Sequence, residues 1–374
     1  MTHDFLIVGA GMAGAAAAYG LSRHGSIVVL EMEAQAGYHT TGRSAAIYLP
    51  SYGPPSVRAL TQASFDFLDA SPADLGLEHR LLEPRDVLYI APNDRVGALH
   101  AFVAEARAQG MPVEMIEPEV ACSRVPVLRP DYFHAAACEQ GAYDLDVASL
   151  HRGMLRAARA RDARIILDAS VEHIARDAGG WTVVASGQTF HARHLVNAAG
   201  AWATHVARMA GASPIRLDPL RRTMISVDTG EQPFSAEWPM VEAIGESLYF
   251  KPESGRILAS CGDETPWPPS DVQPDDMDVA FTVDLLERAT IYDVRRVSAQ
   301  WAGLRVFAAD RLPVIGADPV APDFHWMAGL GGYGIQIAPA IADLIAAQLS
   351  GQDTPAHLAA RGLKSADVTP GRLL

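Results

Sequence analysis

Cysteine is scarce in this chain of 374 residues: only Cys122, Cys138 and Cys261 occur, odd in number and far apart. That excludes a disulfide framework and offers no pair at zinc-ligand spacing, so free thiols in a reducing compartment and no metal site are expected. Basic residues are also in deficit. With 30 Lys and Arg against 44 Asp and Glu, the formal net charge is -14. Such a surface repels a phosphate backbone or an anionic bilayer, which argues against nucleic-acid and membrane-surface partners. Long apolar runs are missing too. No stretch reaches the roughly 18 residues a spanning helix needs, and the nearest approach, residues 335–349, is interrupted by Gln336, Pro339, Asp343 and Gln348. A first strand starting near Asp4 leaves no room for a signal peptide, so no transmembrane segment and a cytoplasmic location are expected.

What is present is a globular composition, 49% hydrophobic and 20% charged, on a chain long enough for two domains. Residues 5–8 form a continuous apolar run, residues 12–24 carry four consecutive alanines, and residues 26–30 read as a second strand. Between the first strand and the helix lies Gly9-Ala10-Gly11-Met12-Ala13-Gly14. Its three glycines permit a tight turn, close approach of a pyrophosphate and close helix–strand packing, while the helix start offers N–H groups to the phosphates. Glu31 ends the second strand, where a carboxylate accepts from ribose hydroxyls and repels a 2′-phosphate. A dinucleotide is expected, and NADP is disfavoured.

The motif alone does not separate FAD from NAD. Three further segments bear on it: the polar run Thr40-Thr41-Gly42-Arg43-Ser44-Ala45-Ala46, the turn at residues 196–200, and the glycine-rich turn at residues 329–336. Close-approach segments spread along the chain suit an elongated cofactor, and the last could aim N–H groups at a ring edge where charge develops on reduction. Together they favour FAD. The expected cofactor contacts are Gly9, Gly11, Met12, Ala13, Gly14, Glu31, Met32, Thr40, Thr41, Arg43, Ser44, Ala45, Ala46, Val171, Ala199, Gly200, Leu330, Gly331, Gly332, Tyr333, Gly334 and Ile335.

The element pattern predicts an α/β protein with a discontinuous layout. Residues 1–80, 141–210 and 305–374 form a Rossmann-type FAD-binding domain. Residues 81–140 and 211–304 form an inserted α+β substrate domain dominated by antiparallel sheet. A helix over residues 146–161 is predicted from Asp146 as its cap and from Leu150, Met154, Leu155 and Ala158 on one face.

Several blocks in combination resemble the FAD-dependent D-amino-acid oxidase superfamily, which includes glycine and sarcosine oxidases. They are residues 9–14, 37–46, Tyr52-Gly53, Pro84-Arg85, 195–202, Arg221-Arg222, 249–252, 301–305, 310–316 and 331–336. Within the superfamily the chain looks most similar to bacterial D-arginine dehydrogenases. The resemblance implies a noncovalent FAD with a substrate pocket over its ring. It also implies that Arg221 and Arg305 grip the substrate carboxylate and that Tyr52 and Tyr249 close the site, with Gly332 beside them. Paired N–H groups of a guanidinium fix a carboxylate in one orientation, and holding Cα–H toward the electron acceptor is most of the catalytic task. The chain departs from D-arginine dehydrogenases at Ile47, Leu49 and Val87, where those enzymes carry His, Thr and Glu. A guanidinium facing three aliphatic residues would be desolvated without a partner, unless a register slip brings Asp86 or Glu83 inward.

The expected activity is therefore oxidation of the Cα–N bond of an amino acid by hydride transfer, with an apolar D-amino acid or a small secondary amine resembling sarcosine, glycine or proline as substrate. Three alternatives stay open: an NAD-dependent dehydrogenase, a flavoprotein oxidising a 2-hydroxy acid with His39 or His325 as base, and a binding or electron-carrier module. No motif chooses among oxygen, a quinone and an electron-transfer protein as acceptor.

Overall fold

The computed structural model describes residues 2–245 and 247–374. Its first sheet grows outward from β1 (Thr2–Val8), which pairs in parallel with β2 (Ile27–Leu30) on one side and with strand Gln188–Asn197 on the other. Arg164–Ile166 and Phe324–Ala328 extend the parallel part, and Val171–Asp177 and Gly180–Ala185 add an antiparallel meander. The apolar run in β1 has a simple cause. Successive side chains leave opposite faces, so Phe5 and Ile7 enter one core cluster while Leu6 and Val8 enter another. A strand covered on both faces has no polar side.

The first of those clusters is built on α1 (Met12–Leu21) between helices Val147–Arg159 and Ala338–Leu349. The four alanines, Ala15 to Ala18, are fully buried. Small side chains here permit backbone contact: a Cβ on Gly14 would lie 1.9 Å from the carbonyl oxygen of Gly9, and one on Gly20 would lie 2.4 Å from that of Ala342. Helix Val147–Arg159 is capped by Asp146, whose carboxylate accepts from the Ser149 N–H at 2.9 Å, and it buries Leu150, Met154, Leu155 and Ala158.

The second sheet is largely antiparallel. Across it run Asp218–Val227, Arg256–Ser260, Leu248–Glu253, Met240–Ala243, Val87–Ala91, Ala135–Glu139 and Val113–Ile116, with only the Met240–Ala243 and Val87–Ala91 pair parallel. Strand Val297–Phe307 pairs with Asp218–Val227 over its whole length, from Val297 opposite Val227 to Phe307 opposite Asp218. A domain boundary at 304/305 would cut this strand, so Arg305 belongs to the second sheet. Ile47–Tyr48, Tyr143–Leu145 and Leu82–Pro84 form a small third sheet. Among the described residues no helix is long and apolar enough to cross a membrane, and no group of His, Cys, Asp and Glu is arranged to hold a metal ion. The three cysteines are free.

Candidate active site and cofactor cleft

The turn after β1 is fixed by close contact. Gly9 has a φ of 98°, and a Cβ there would sit 2.5 Å from the carbonyl oxygen of Ala198, so only glycine fits. Gly11 caps α1 with no side-chain bond and no acid in the first turn, which directs the positive helix end at the cleft. The Thr41 hydroxyl accepts from the Met12 N–H at 2.9 Å. Glu31 is buried at the end of β2 and accepts from the Ala10 N–H at 2.7 Å.

An elongated cavity of about 350 Å³ runs from this turn to the glycine-rich turn before helix Ala338–Leu349. Of the expected cofactor contacts, Gly9, Gly11, Met12, Ala13, Glu31, Met32, Thr40, Thr41, Arg43, Ser44 and Ala45 line it. So do Val171, Ala199, Gly200, Leu330, Gly331, Gly332, Gly334 and Ile335. Three expected residues lie outside that lining. Gly14 is pressed against Gly9 and serves helix packing. Ala46 turns away with a φ of 57°, its carbonyl accepting from the Leu145 N–H. Tyr333 is buried, its hydroxyl on the carbonyl of Arg311 and its ring edge-on to Tyr52 and Phe307. Arg43 lines the cavity, but its guanidinium is engaged by Asp271 at 2.5 Å and by the carbonyls of Val272 and Ala302 at 3.2 and 2.9 Å. It braces two chain segments and is not directed at a phosphate. A helix start and a buried carboxylate at one end, with a glycine-rich turn at the other, fit an adenine dinucleotide whose far end carries a ring.

The expected arginine pair needs correction by one residue. Arg221 and Arg222 leave opposite faces of Asp218–Val227. Arg221 turns from the cavity, stacking 4.8 Å from the Trp267 ring centre and pairing with Asp278 at 2.8 Å and Asp275 at 3.4 Å. Arg222 lines the cavity together with Arg305. The register accounts for this, since Arg222 stands opposite Gly303 and Arg305 opposite Leu220, so the two arginines are diagonal neighbours on one face. Arg222 is buried, donates to the Asp263 carbonyl at 2.8 Å, and lies 5.8 Å from the centre of the Tyr249 ring. A Cβ at Gly303 would meet the Arg43 Cβ and the Thr40 Cα at 3.6 Å, so Thr40 and Arg43 pack against the strand at this point.

Arg305 donates to the Tyr52 hydroxyl at 3.1 Å. Gly332 permits that pair, because a Cβ there would fall 2.8 Å from the Tyr52 hydroxyl and 2.9 Å from the Arg305 Nη1. The segment carrying Tyr52 is itself held by buried polar groups. The Gln336 amide accepts from the Leu49 N–H at 2.9 Å and donates to the Thr61 hydroxyl at 2.9 Å. Glu139 is fully buried and accepts from the Ser51 N–H at 3.0 Å, from the Ser51 hydroxyl, and from the Tyr89 hydroxyl at 2.9 Å. Burial raises the Glu139 pKa, and the hydrogen bonds oppose that rise. Nothing in the linear sequence marks Glu139, which closes an alanine-rich strand 88 residues from Ser51.

Ile47, Leu49 and Val87 fall in one apolar cluster with Tyr52, Tyr249, Met224, Met240 and Trp301. Of these, Met224 lines the cavity, and its sulfur accepts from the Tyr249 hydroxyl at 3.1 Å. No register slip brings in an acid: Asp86 pairs with Arg124 at 2.6 Å, and Glu83 is exposed. Of the two candidate histidines, His39 lines the cavity with its Nε2 2.8 Å from the Glu33 carboxylate. His325 is buried beside His194 and is absent from the cavity lining, its pKa lowered to about 4 by burial and by that neighbour.

Residues 4–348 match the family model described as DAO: FAD dependent oxidoreductase. Glycine oxidase of Geobacillus kaustophilus is 25% identical over 385 residues, covering 96% of this chain and 96% of that protein. The structure of L-proline dehydrogenase from P. horikoshii aligns with a TM-score of 0.82 at 20% identity, over 97% of this chain and 99% of that one. L-alpha-glycerophosphate oxidase from Mycoplasma pneumoniae, whose structure has FAD bound, aligns with a TM-score of 0.83 at 18% identity, over 94% and 95% of the two chains. At such identities the structural likeness is one of fold.

Proposed function

The chain belongs to the FAD dependent oxidoreductase family DAO, and from that membership we propose that it oxidises the Cα–N bond of an amino acid to the imino acid, with FAD held noncovalently. The observation that carries the reading is the meeting of Arg222 and Arg305 in a cavity whose other end is a dinucleotide cradle. Two guanidiniums fix a carboxylate by charge and by directed N–H groups. Arg305 also orients the Tyr52 hydroxyl, so the group beside the carboxylate meets a preset hydrogen-bonding partner. Helix α1, Thr41 and Glu31 would hold the adenosine and phosphate part, and the turn at Gly331 and Gly332 the ring end. When bound, the flavin supplies the two-electron acceptor for the hydride leaving Cα while the amine loses a proton.

Ile47, Leu49 and Val87 are not part of the cavity lining but pack in the apolar cluster behind Met224, which is, and this favours a D-amino acid whose side chain is apolar where it reaches that cluster. A guanidinium there would lose its hydration without a partner, so D-arginine is a poor fit to those positions. A small secondary amine is the second reading, favoured by the tight contacts of Gly332 with Tyr52 and Arg305.

The test is anaerobic bleaching of the flavin band in purified protein by D-leucine, D-methionine, D-phenylalanine, D-proline, D-arginine, their L-forms, sarcosine and 2-hydroxy acids. Bleaching by amino acids or sarcosine is expected, and admission of air then shows whether oxygen is the acceptor. Bleaching by hydroxy acids alone would overturn the proposal, and a clear preference for D-arginine in kcat/KM would overturn the apolar preference.

A further inference from the structure

Between strand Arg256–Ser260 and helix Asp276–Ala289, residues 261–275 run out from the second sheet to the cofactor cleft. The segment is anchored at both ends. Thr265 and Pro266 pair with Arg221 and Leu220, and the Trp267 N–H donates to the Pro219 carbonyl at 3.0 Å. At the far end Asp275 caps the helix, its carboxylate accepting from the Met277 N–H at 2.9 Å. Between these anchors Ser270 and Val272 line the cavity. Val272 is buried in the cluster that holds Val8 and Leu30 of the first sheet with Ala302 and Leu304 of the second.

The residue between Ser270 and Val272's neighbours makes a tie across the cleft. Asp271 accepts from the Arg43 guanidinium at 2.5 Å and from the Tyr38 hydroxyl at 3.1 Å, and the Val272 carbonyl accepts from Arg43 at 3.2 Å. Tyr38 and Arg43 line the same cavity, and the guanidinium lies 5.2 Å from the centre of the Tyr38 ring. The Asp271 side chain is 45% exposed and Tyr38 44%, against 14% for the Arg43 side chain. The tie therefore stands at the surface with the cavity behind it. Two strips of chain that each line the cleft are joined on its solvent side.

We propose that residues 267–275 form a strap over the bound dinucleotide and that Asp271 is its latch, so that FAD leaves only when the bonds from Arg43 and Tyr38 open. The inference rests on the noncovalent FAD of the reading above, since a covalent flavin has no release to control. The latch is a charge-assisted carboxylate–guanidinium bond with a second donor beside it, and Val272 gives the closed strap an apolar seat. A ligand that waits on a local opening dissociates no faster than that opening allows, so a weaker latch means faster loss.

The test follows flavin loss from purified holoenzyme diluted into flavin-free buffer and filtered at intervals to collect released FAD. Asp271→Asn keeps the shape and removes the charge. It is expected to release FAD about fivefold to tenfold faster than wild type, and Tyr38→Phe about twofold to threefold faster. Salt reads the latch in the wild type itself. Sodium chloride at about 1 M should speed wild-type release toward the variant's rate and move Asp271→Asn by less than about twofold, because the screened pair is already gone. Asp69→Asn removes the exposed partner of Arg80 elsewhere on the surface and, as the control for net charge, should match wild type. Release from Asp271→Asn at the wild-type rate overturns the inference. Should that variant yield no flavin-loaded protein, the wild-type salt response decides, and a rate unmoved by salt overturns it. Flavin that stays with acid-precipitated protein overturns the noncovalent reading itself, and the latch with it.

Discussion

Two adjacent guanidiniums in one strand have separate tasks, and their replacements should fail differently. Arg222→Ala is expected to lower kcat/KM for the substrate about a hundredfold, which is about 2.7 kcal/mol, with the flavin still bound. Arg221→Ala leaves Asp263, Asp275 and Asp278 without their shared cation. It is expected to lower the melting temperature, as loss of about 2–4 kcal/mol would, with little change in KM. Substrate titrations and melts of both variants check this, and an exchange of the two phenotypes would refute it. The sequence offered the arginine pair but not its phase. A strand puts successive side chains on opposite faces, and a one-residue error moves the charge from the cavity to the aspartates.

At the scale of elements, local signals were the legible ones. The glycine turn, α1 and the helix after Asp146 each carry their caps and spacing within a dozen residues. Strand Val297–Phe307 does not: residues 298–301 suggest a short strand, and its continuation through Arg305 depends on pairing with residues some 80 positions away. The small third sheet was illegible for the same reason. Contact between α1 and helix Ala338–Leu349 gives a prediction at this scale. Gly20→Leu would drive a side chain into the Ala342 backbone, 2.4 Å from the first added carbon. The helix displaced is the one that follows the Gly331–Gly332 turn, so the variant should melt earlier and lose flavin on gel filtration. Wild-type flavin content after that step would show that the contact is not needed.

Across the whole molecule, one buried histidine sets part of the acid limit of stability. His325 is held neutral, its pKa depressed from 6.5 to about 4 by burial and by His194. The folded state therefore binds fewer protons than the unfolded chain between those values, and stability is lost as the pH falls through them. The full effect is roughly 3 kcal/mol at about 1.4 kcal/mol per unit. Melting temperature plotted against pH should fall more steeply over that window in wild type than in His325→Phe, and parallel curves would refute the assignment.

Strand Val297–Phe307 has one more consequence. It is woven into the second sheet, yet its backbone is tied to two segments that line the cofactor end of the cavity, at Thr40–Arg43 and at Gly331. Thr40 donates to the Leu304 carbonyl at 2.7 Å, Arg43 to that of Ala302 at 2.9 Å, and the Gly331 N–H to that of Val306 at 2.8 Å. A clamshell opening between the two sheets would have to break all three at once. Entry of substrate and escape of product must then be managed by local shifts of side chains or short loops at the cavity mouth. Turnover should be sensitive to solvent viscosity only as far as those small gates are.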